Sequence, residues 1–180
     1  MLQSVCLLVL IPDFEKDYTN INEYKCIVVE RLKENRKIGL PGGKVEDKEY
    51  IFDALKREIK EEMNIDIKKE WLIPILSTFV NGTYCTTFAV KIDYLHLLNL
   101  NNMQQQETFI VPKIINFKDF EKNNAFPEYN SIIKLNAKHF VPYLFDDPEL
   151  FKTDSHNNKM KDDSLDDYTQ DELISFVKHI

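Results

Sequence analysis

Only four glycines occur in this 180-residue chain, and three of them, Gly39, Gly42 and Gly43, crowd into the stretch Ile38-Gly39-Leu40-Pro41-Gly42-Gly43. Backbone freedom is concentrated there, so the chain must turn tightly or pass close to other backbone at that point. From Tyr50 to Met63 apolar residues then recur at Ile51, Phe52, Leu55, Ile59 and Met63, the period of an amphipathic helix. Asp47 is placed to cap its start, and Asn64 can take the left-handed conformation that ends it. A permissive loop feeding directly into an amphipathic helix is the unit around which the rest of the chain has to be built.

That helix carries an unusual charge pattern. Glu58, Glu61 and Glu62 stand at i, i+3 and i+4, so all three carboxylates project from one side. Like charges at this spacing destabilise a bare helix, and a hard divalent cation with oxygen ligands would compensate them. Arg57, four residues before Glu61, can steady one carboxylate, and a carbonyl of the glycine loop can reach the same ion. Taken on charge alone, a Glu- and Lys-rich helix face is more often simply solvated, and spacing within the helix does not decide between the two.

The remaining pattern is that of a mixed α/β domain. Ser4 to Leu10 and Tyr24 to Arg31 read as strands, and Trp71 to Val80 with Tyr84 to Ile92 as a hairpin around Asn81-Gly82. Thr108 to Phe117 reads as another strand and Pro127 to Leu135 as a second helix. The apolar N-terminal run lacks the basic start and small-residue cleavage site of a secretory signal, so an opening buried strand is expected. No apolar run approaches the length of a membrane span. Cys6, Cys26 and Cys85 are odd in number and widely spaced, which suits buried reduced thiols and a cytoplasmic protein.

The net charge is −7, and the stretch from Asp146 to Glu172, with ten acids against three lysines, accounts for all of it. The acidity argues against general affinity for nucleic-acid backbones, while the balanced remainder can still attract an anionic substrate locally. The expected organisation is a domain over residues 1–143 followed by an acidic extension over 144–180. A capping-box pattern, Thr169-Gln170-Asp171-Glu172, announces a short terminal helix in that extension.

The full spacing is more specific than the helix alone. Gly43, five residues, Glu49, seven residues, then Arg57-Glu58-Ile59-Lys60-Glu61-Glu62-Met63-Asn64-Ile65 closely resembles the Nudix box, with Leu40-Pro41-Gly42 as its usual lead-in. One position departs: Asn64 stands where the pattern has glycine, and asparagine is the next-best residue for a left-handed helix end. The resemblance implies an α/β/α sandwich with a mixed central sheet and a loop–helix–loop catalytic motif. It implies a hydrolase of a nucleoside diphosphate linked to another moiety, working with Mg²⁺ or Mn²⁺.

By the same resemblance, Glu58 and Glu62 are expected as metal ligands and Glu61 as a ligand or the base, with the Gly42 carbonyl and Glu107, from a later loop, completing the site. Catalysis would rest on Glu58, Glu61 and Arg57, with Glu49 and Gly43 in support. Lys44 is a candidate phosphate contact. Phe126-Pro127-Glu128-Tyr129-Asn130 resembles the Phe-Pro-x-x-Asn segment of MutT-type enzymes, which makes Asn130 a candidate purine reader. Markers of other subfamilies are missing: Val80 stands where ADP-ribose enzymes usually have proline, and Tyr84 lies slightly beyond the tyrosine of dinucleoside polyphosphate enzymes. A (deoxy)nucleoside triphosphate is therefore the expected substrate. Dinucleoside polyphosphates, nucleotide sugars, capped RNA ends and a non-catalytic nucleotide-sensing domain stand as alternatives. No membrane partner is expected, and the sequence is silent on oligomeric state.

Overall fold

The computed structural model describes residues 2–104 and 107–146. The strands are β1 (Leu2–Leu8), β2 (Leu10–Ile11), β3 (Lys25–Arg31), β4 (Lys37–Gly39), β5 (Gly42–Lys44), β6 (Leu72–Val80), β7 (Thr83–Val90) and β8 (Ile110–Asn116). The helices are α1 (Ile51–Met63) and α2 (Pro127–Phe140), with short 3₁₀ turns between elements.

One sheet has the order β5-β1-β7-β6, in which β1 runs parallel to β7 while the β1–β5 and β6–β7 pairs are antiparallel. In the other, β3 pairs antiparallel with β2, β4 and β8. The sheets are stitched together where the Leu7 N–H donates to the Pro41 carbonyl and the Ile27 N–H to the Val9 carbonyl.

Alternation along the central strands explains the layering. Val5, Leu7 and Val9 join Ile27 and Val29 in a core capped by Ala54, Leu55, Ile59 and Met63 of α1. Leu8 and Leu10 join Cys26 and Val28 in a second core closed by Tyr129, Ile133, Ala137 and Phe140 of α2. A sheet buried on both faces needs apolar residues at successive positions, which is why β1 and β3 read as near-continuous hydrophobic runs. The result is the expected α/β/α sandwich with a mixed sheet.

Several local expectations are refined. The N-cap of α1 is Tyr50, with no side-chain cap bond, rather than Asp47. Glu49, whose carboxylate accepts the Glu46 N–H at 3.0 Å and is held by Arg57, fixes the turn that feeds the helix instead. Asn64 ends α1 in the left-handed conformation (φ 58°), with its N–H donating to the Lys60 carbonyl. Asn81 (φ 50°) and Gly82 (φ 81°) form the hairpin turn. Helix α2 runs on past Leu135 to Phe140 because Ile133, Ala137 and Phe140 continue its buried stripe. Strands β4 and β5 are too short to carry a periodic signal. Among the described residues no helix is long and apolar enough to cross a membrane. Of the acidic extension expected over 144–180, residues 147–180, and with them the expected terminal helix, lie outside the described residues.

Candidate active site

Packing of α1 against β1 dictates where its charges go. With Leu55, Ile59 and Met63 wholly buried, the neighbouring carboxylates are graded in exposure: Glu62 is 3% exposed, the Glu58 side chain 16% and the Glu61 side chain 48%. Buried, Glu62 accepts a 2.7 Å hydrogen bond from the Gly42 N–H. The contact between Gly42 and the helix therefore runs through its amide. Gly42 sits at φ 136°, and a Cβ there would strike the backbone of Val5 and Cys6. At Gly43 a Cβ would run into the Glu58 carboxyl, so the bare glycine backbone leaves room for that group.

Arg57 ties the cluster together. Its Nε and Nη2 grip the two oxygens of Glu49 at 2.9 and 3.0 Å, a bidentate pair. Its Nη1 donates to Glu58 at 2.8 Å and to Glu61 at 3.3 Å, and Nη2 also donates to the Lys44 carbonyl at 3.0 Å. One guanidinium thus fixes two glutamates of the helix, the preceding turn and β5. Lys44 itself is exposed on β5, tied to the cluster by its carbonyl.

The electrostatics record crowded acids. Burial pushes the Glu62 carboxyl up to about 8, opposed by the Gly42 hydrogen bond and by Arg31, and reinforced by Glu58 and Glu107. Glu58 is raised chiefly by burial, with Arg57 opposing and Glu61 and Glu107 adding to it. Glu107, exposed in the turn before β8, therefore lies within electrostatic reach of both Glu58 and Glu62.

Among the described residues no three His, Cys, Asp or Glu side chains converge closely enough to hold a metal ion as they stand. Glu58 and Glu61 are drawn to Arg57, and Glu62 to the Gly42 N–H. The donor set nevertheless fits a hard divalent cation. It offers several carboxylates, two of them raised by burial and mutual repulsion, beside a glycine segment that leaves the Glu58 carboxyl unobstructed.

A second group of polar residues lies toward α2. Asn130 is wholly buried, and neither atom of its amide has a hydrogen-bond partner; the same holds for Arg31 Nε and Asn124 Nδ2. The segment before α2 is docked on β4, with the Ile38 N–H donating to the Asn123 carbonyl and the Ala125 N–H to the Ile38 carbonyl. That docking brings Phe126 against Gly39 and under Arg31, whose guanidinium carbon stands 5.3 Å from the ring centroid. Arg31 also acts on Glu62 electrostatically, and the Phe126 ring it covers belongs to the residue whose carbonyl accepts the Asn130 N–H. Arg31 and Asn124 escape the sequence reading, because a lone arginine at a strand end and an asparagine in a loop belong to no motif. Arg31 lies in line with the core positions of β3, and that is the one signal it offers.

A helix of clustered carboxylates fed by a glycine loop, on the flank of an α/β/α sandwich, gathers the oxygen donors that a hard divalent cation takes. The family model for the NUDIX domain matches residues 18–108, half of the chain, and the chain belongs to the Nudix family. It is a hydrolase acting on phosphoric anhydrides, and Nudix hydrolases generally use divalent metals.

Solved structures share the fold. An Ap4A hydrolase from C. elegans in a binary complex is 19% identical with a TM-score of 0.55, covering 78% of this chain and 98% of its own. The MutT structures from Aliivibrio salmonicida and Vibrio cholerae are represented at 18% identity and a TM-score of 0.53, covering 74% of this chain and 94% of theirs. A search of curated proteins returns no match.

Proposed function

We propose that the protein is a pyrophosphohydrolase of (deoxy)nucleoside triphosphates with a purine base. The observation that carries this reading is the Asn130 amide, wholly buried with both atoms unpartnered, at the start of α2 beside Phe126, whose ring Arg31 covers. A buried amide left without partners costs stability, of order 1–3 kcal/mol. A ligand that both donates and accepts, as a purine edge does, would relieve that cost.

Glu58, Glu61 and Glu62 would hold Mg²⁺ or Mn²⁺, with the Gly42 carbonyl and Glu107 completing the set. Bound there, the metal would neutralise the diphosphate, stabilise the leaving oxygen and acidify the attacking water. The chain's own residues do the rest. Glu58 or Glu61 would take a proton from the attacking water. Arg57, anchored by Glu49, keeps both glutamates in place. Lys44, exposed on β5, would supply positive charge toward the phosphates. Three free cysteines suit a cytoplasmic setting.

The test is a hydrolysis panel of purine and pyrimidine triphosphates, dinucleoside polyphosphates, nucleotide sugars and capped RNA, with Mg²⁺ and with Mn²⁺. Purine triphosphates should yield a nucleoside monophosphate and pyrophosphate fastest. Cleavage of a dinucleotide with triphosphates untouched would overturn the substrate assignment. Nucleotide binding without turnover of any compound would favour a sensing domain.

A further inference from the structure

Cys6 of β1 and Cys85 of β7 lie on adjacent parallel strands, in a register that sets Ser4 beside Cys85 and Cys6 beside Thr87. Both side chains project from the sheet face that turns toward α2, and their sulfurs are 3.8 Å apart. Both are free thiols; Cys85 is 7% exposed and Cys6 is half-buried.

Each thiol borders a different part of the site. Cys6 is the register partner of Gly42, whose N–H holds Glu62, and the Cys6 backbone closes the space around Gly42. Cys85 precedes by two residues Thr87, whose hydroxyl is hydrogen-bonded to Tyr129, the neighbour of Asn130. The third cysteine, Cys26, is wholly buried in β3 of the other sheet and supplies an internal control.

We propose that Cys6 and Cys85 are a peroxide-sensitive thiol pair whose oxidation to a disulfide lowers turnover at the adjoining site. In the first step one thiol gives up its proton and its sulfur attacks a peroxide oxygen; the O–O bond breaks, the sulfur becomes a sulfenic acid, and the departing hydroxide takes up the released proton and leaves as water. In the second, the other thiol attacks the sulfenic sulfur; the S–S bond forms and the hydroxyl departs with a proton as a second water. Two thiols lose two electrons and the peroxide gains them.

Bonding requires the sulfurs to close to about 2.05 Å. Seven register pairs brace β1 against β7, but only three hold β5 to β1. The displacement therefore falls most easily on the Cys6–Gly42 contact, and through it on Glu62.

The full-length protein, reduced and then exposed to hydrogen peroxide, provides the test by alkylation, non-reducing peptide mapping and turnover. A Cys6–Cys85 linked peptide, an intact mass lower by two hydrogens and roughly tenfold slower turnover are expected. Dithiothreitol should reverse all three, Cys26→Ala should respond as the wild type does, and Cys85→Ala should not respond. Thiols that remain alkylatable after peroxide, a link through Cys26 or between chains, or a Cys6–Cys85 link with unchanged turnover would each overturn the proposal. The turnover arm rests on the hydrolase reading. Mapping needs no substrate, so a reduced enzyme that fails on triphosphates leaves the linkage test standing.

Discussion

The Glu62 carboxylate and the Gly42 N–H are bonded at 2.7 Å in a buried setting, which ties α1 directly to the glycine loop. Twenty residues of sequence separate them. The bond opposes, without cancelling, the effect of burial, and the carboxyl stays at about 8.

A pH dependence follows for the metal-free protein. An unfolded glutamate titrates near 4.3 on the usual scale, roughly four units lower. Between these values the folded chain binds more protons than the unfolded one, so stability contributed at Glu62 is present at low pH and lost as pH rises toward 8. With a chelator present, the melting temperature should fall over this window, and Glu62→Gln should flatten the fall. The same substitution should cut Mg²⁺-dependent turnover by about a hundredfold or more while leaving the fold intact. A wild-type turnover rate in Glu62→Gln would remove this residue from the site.

Gly43→Ala separates activity from stability. The added Cβ would meet the Glu58 carboxyl, the movable end of a long side chain, so the fold can yield at small cost. The carboxyl, however, must leave its place beside Arg57. Turnover should fall about tenfold or more with a melting temperature close to wild type. Equal losses of both would instead mark Gly43 as a folding residue.

Arg57→Lys tests geometry rather than charge. Lysine keeps the cation but cannot reproduce the two-point grip on Glu49 together with the contacts to Glu58, Glu61 and the Lys44 carbonyl. Turnover should drop roughly 10–100-fold, with a stability loss of about 1–3 kcal/mol for the broken, partly buried network. Glu49→Gln combined with Arg57→Lys should cost less than the sum of the single changes, because both act on one pair. Strict additivity of turnover losses would refute that coupling.

The glycine loop, the carboxylate helix and its left-handed end at Asn64 were legible in the sequence because their signals are local: spacing, period and conformational need. Arg57 and Glu49 were each legible through the family pattern, and the structure pairs them. By contrast, the link between Arg31, Phe126 and Asn130 depends on the loop before α2 docking on β4, a strand of three residues that no periodicity reveals. The proximity of Cys6 and Cys85 depends on the register between two strands far apart in the chain, which only the folded sheet fixes. Asp47 was misjudged as the cap because the turn is held by a side chain gripped from within the helix, by Arg57, rather than by a residue bonding the first free N–H groups.

Asn130→Ala sets stability against specificity. The amide is wholly buried and unpartnered, so its removal eliminates an unsatisfied donor and acceptor worth about 1–3 kcal/mol, against a small packing loss. Thermal denaturation should therefore show the variant at least as stable as the wild type, unusual for truncation of a fully buried side chain. If the amide reads a purine edge, kcat/KM for purine triphosphates should fall about 10–100-fold, the loss expected for one or two hydrogen bonds. Pyrimidine triphosphates should be far less affected, and Asn130→Asp, which cannot donate when ionised, should alter the order of purines rather than merely slow them. A variant that is destabilised and equally slow on every base would show Asn130 to be a packing residue, and the basis for a purine preference would be gone.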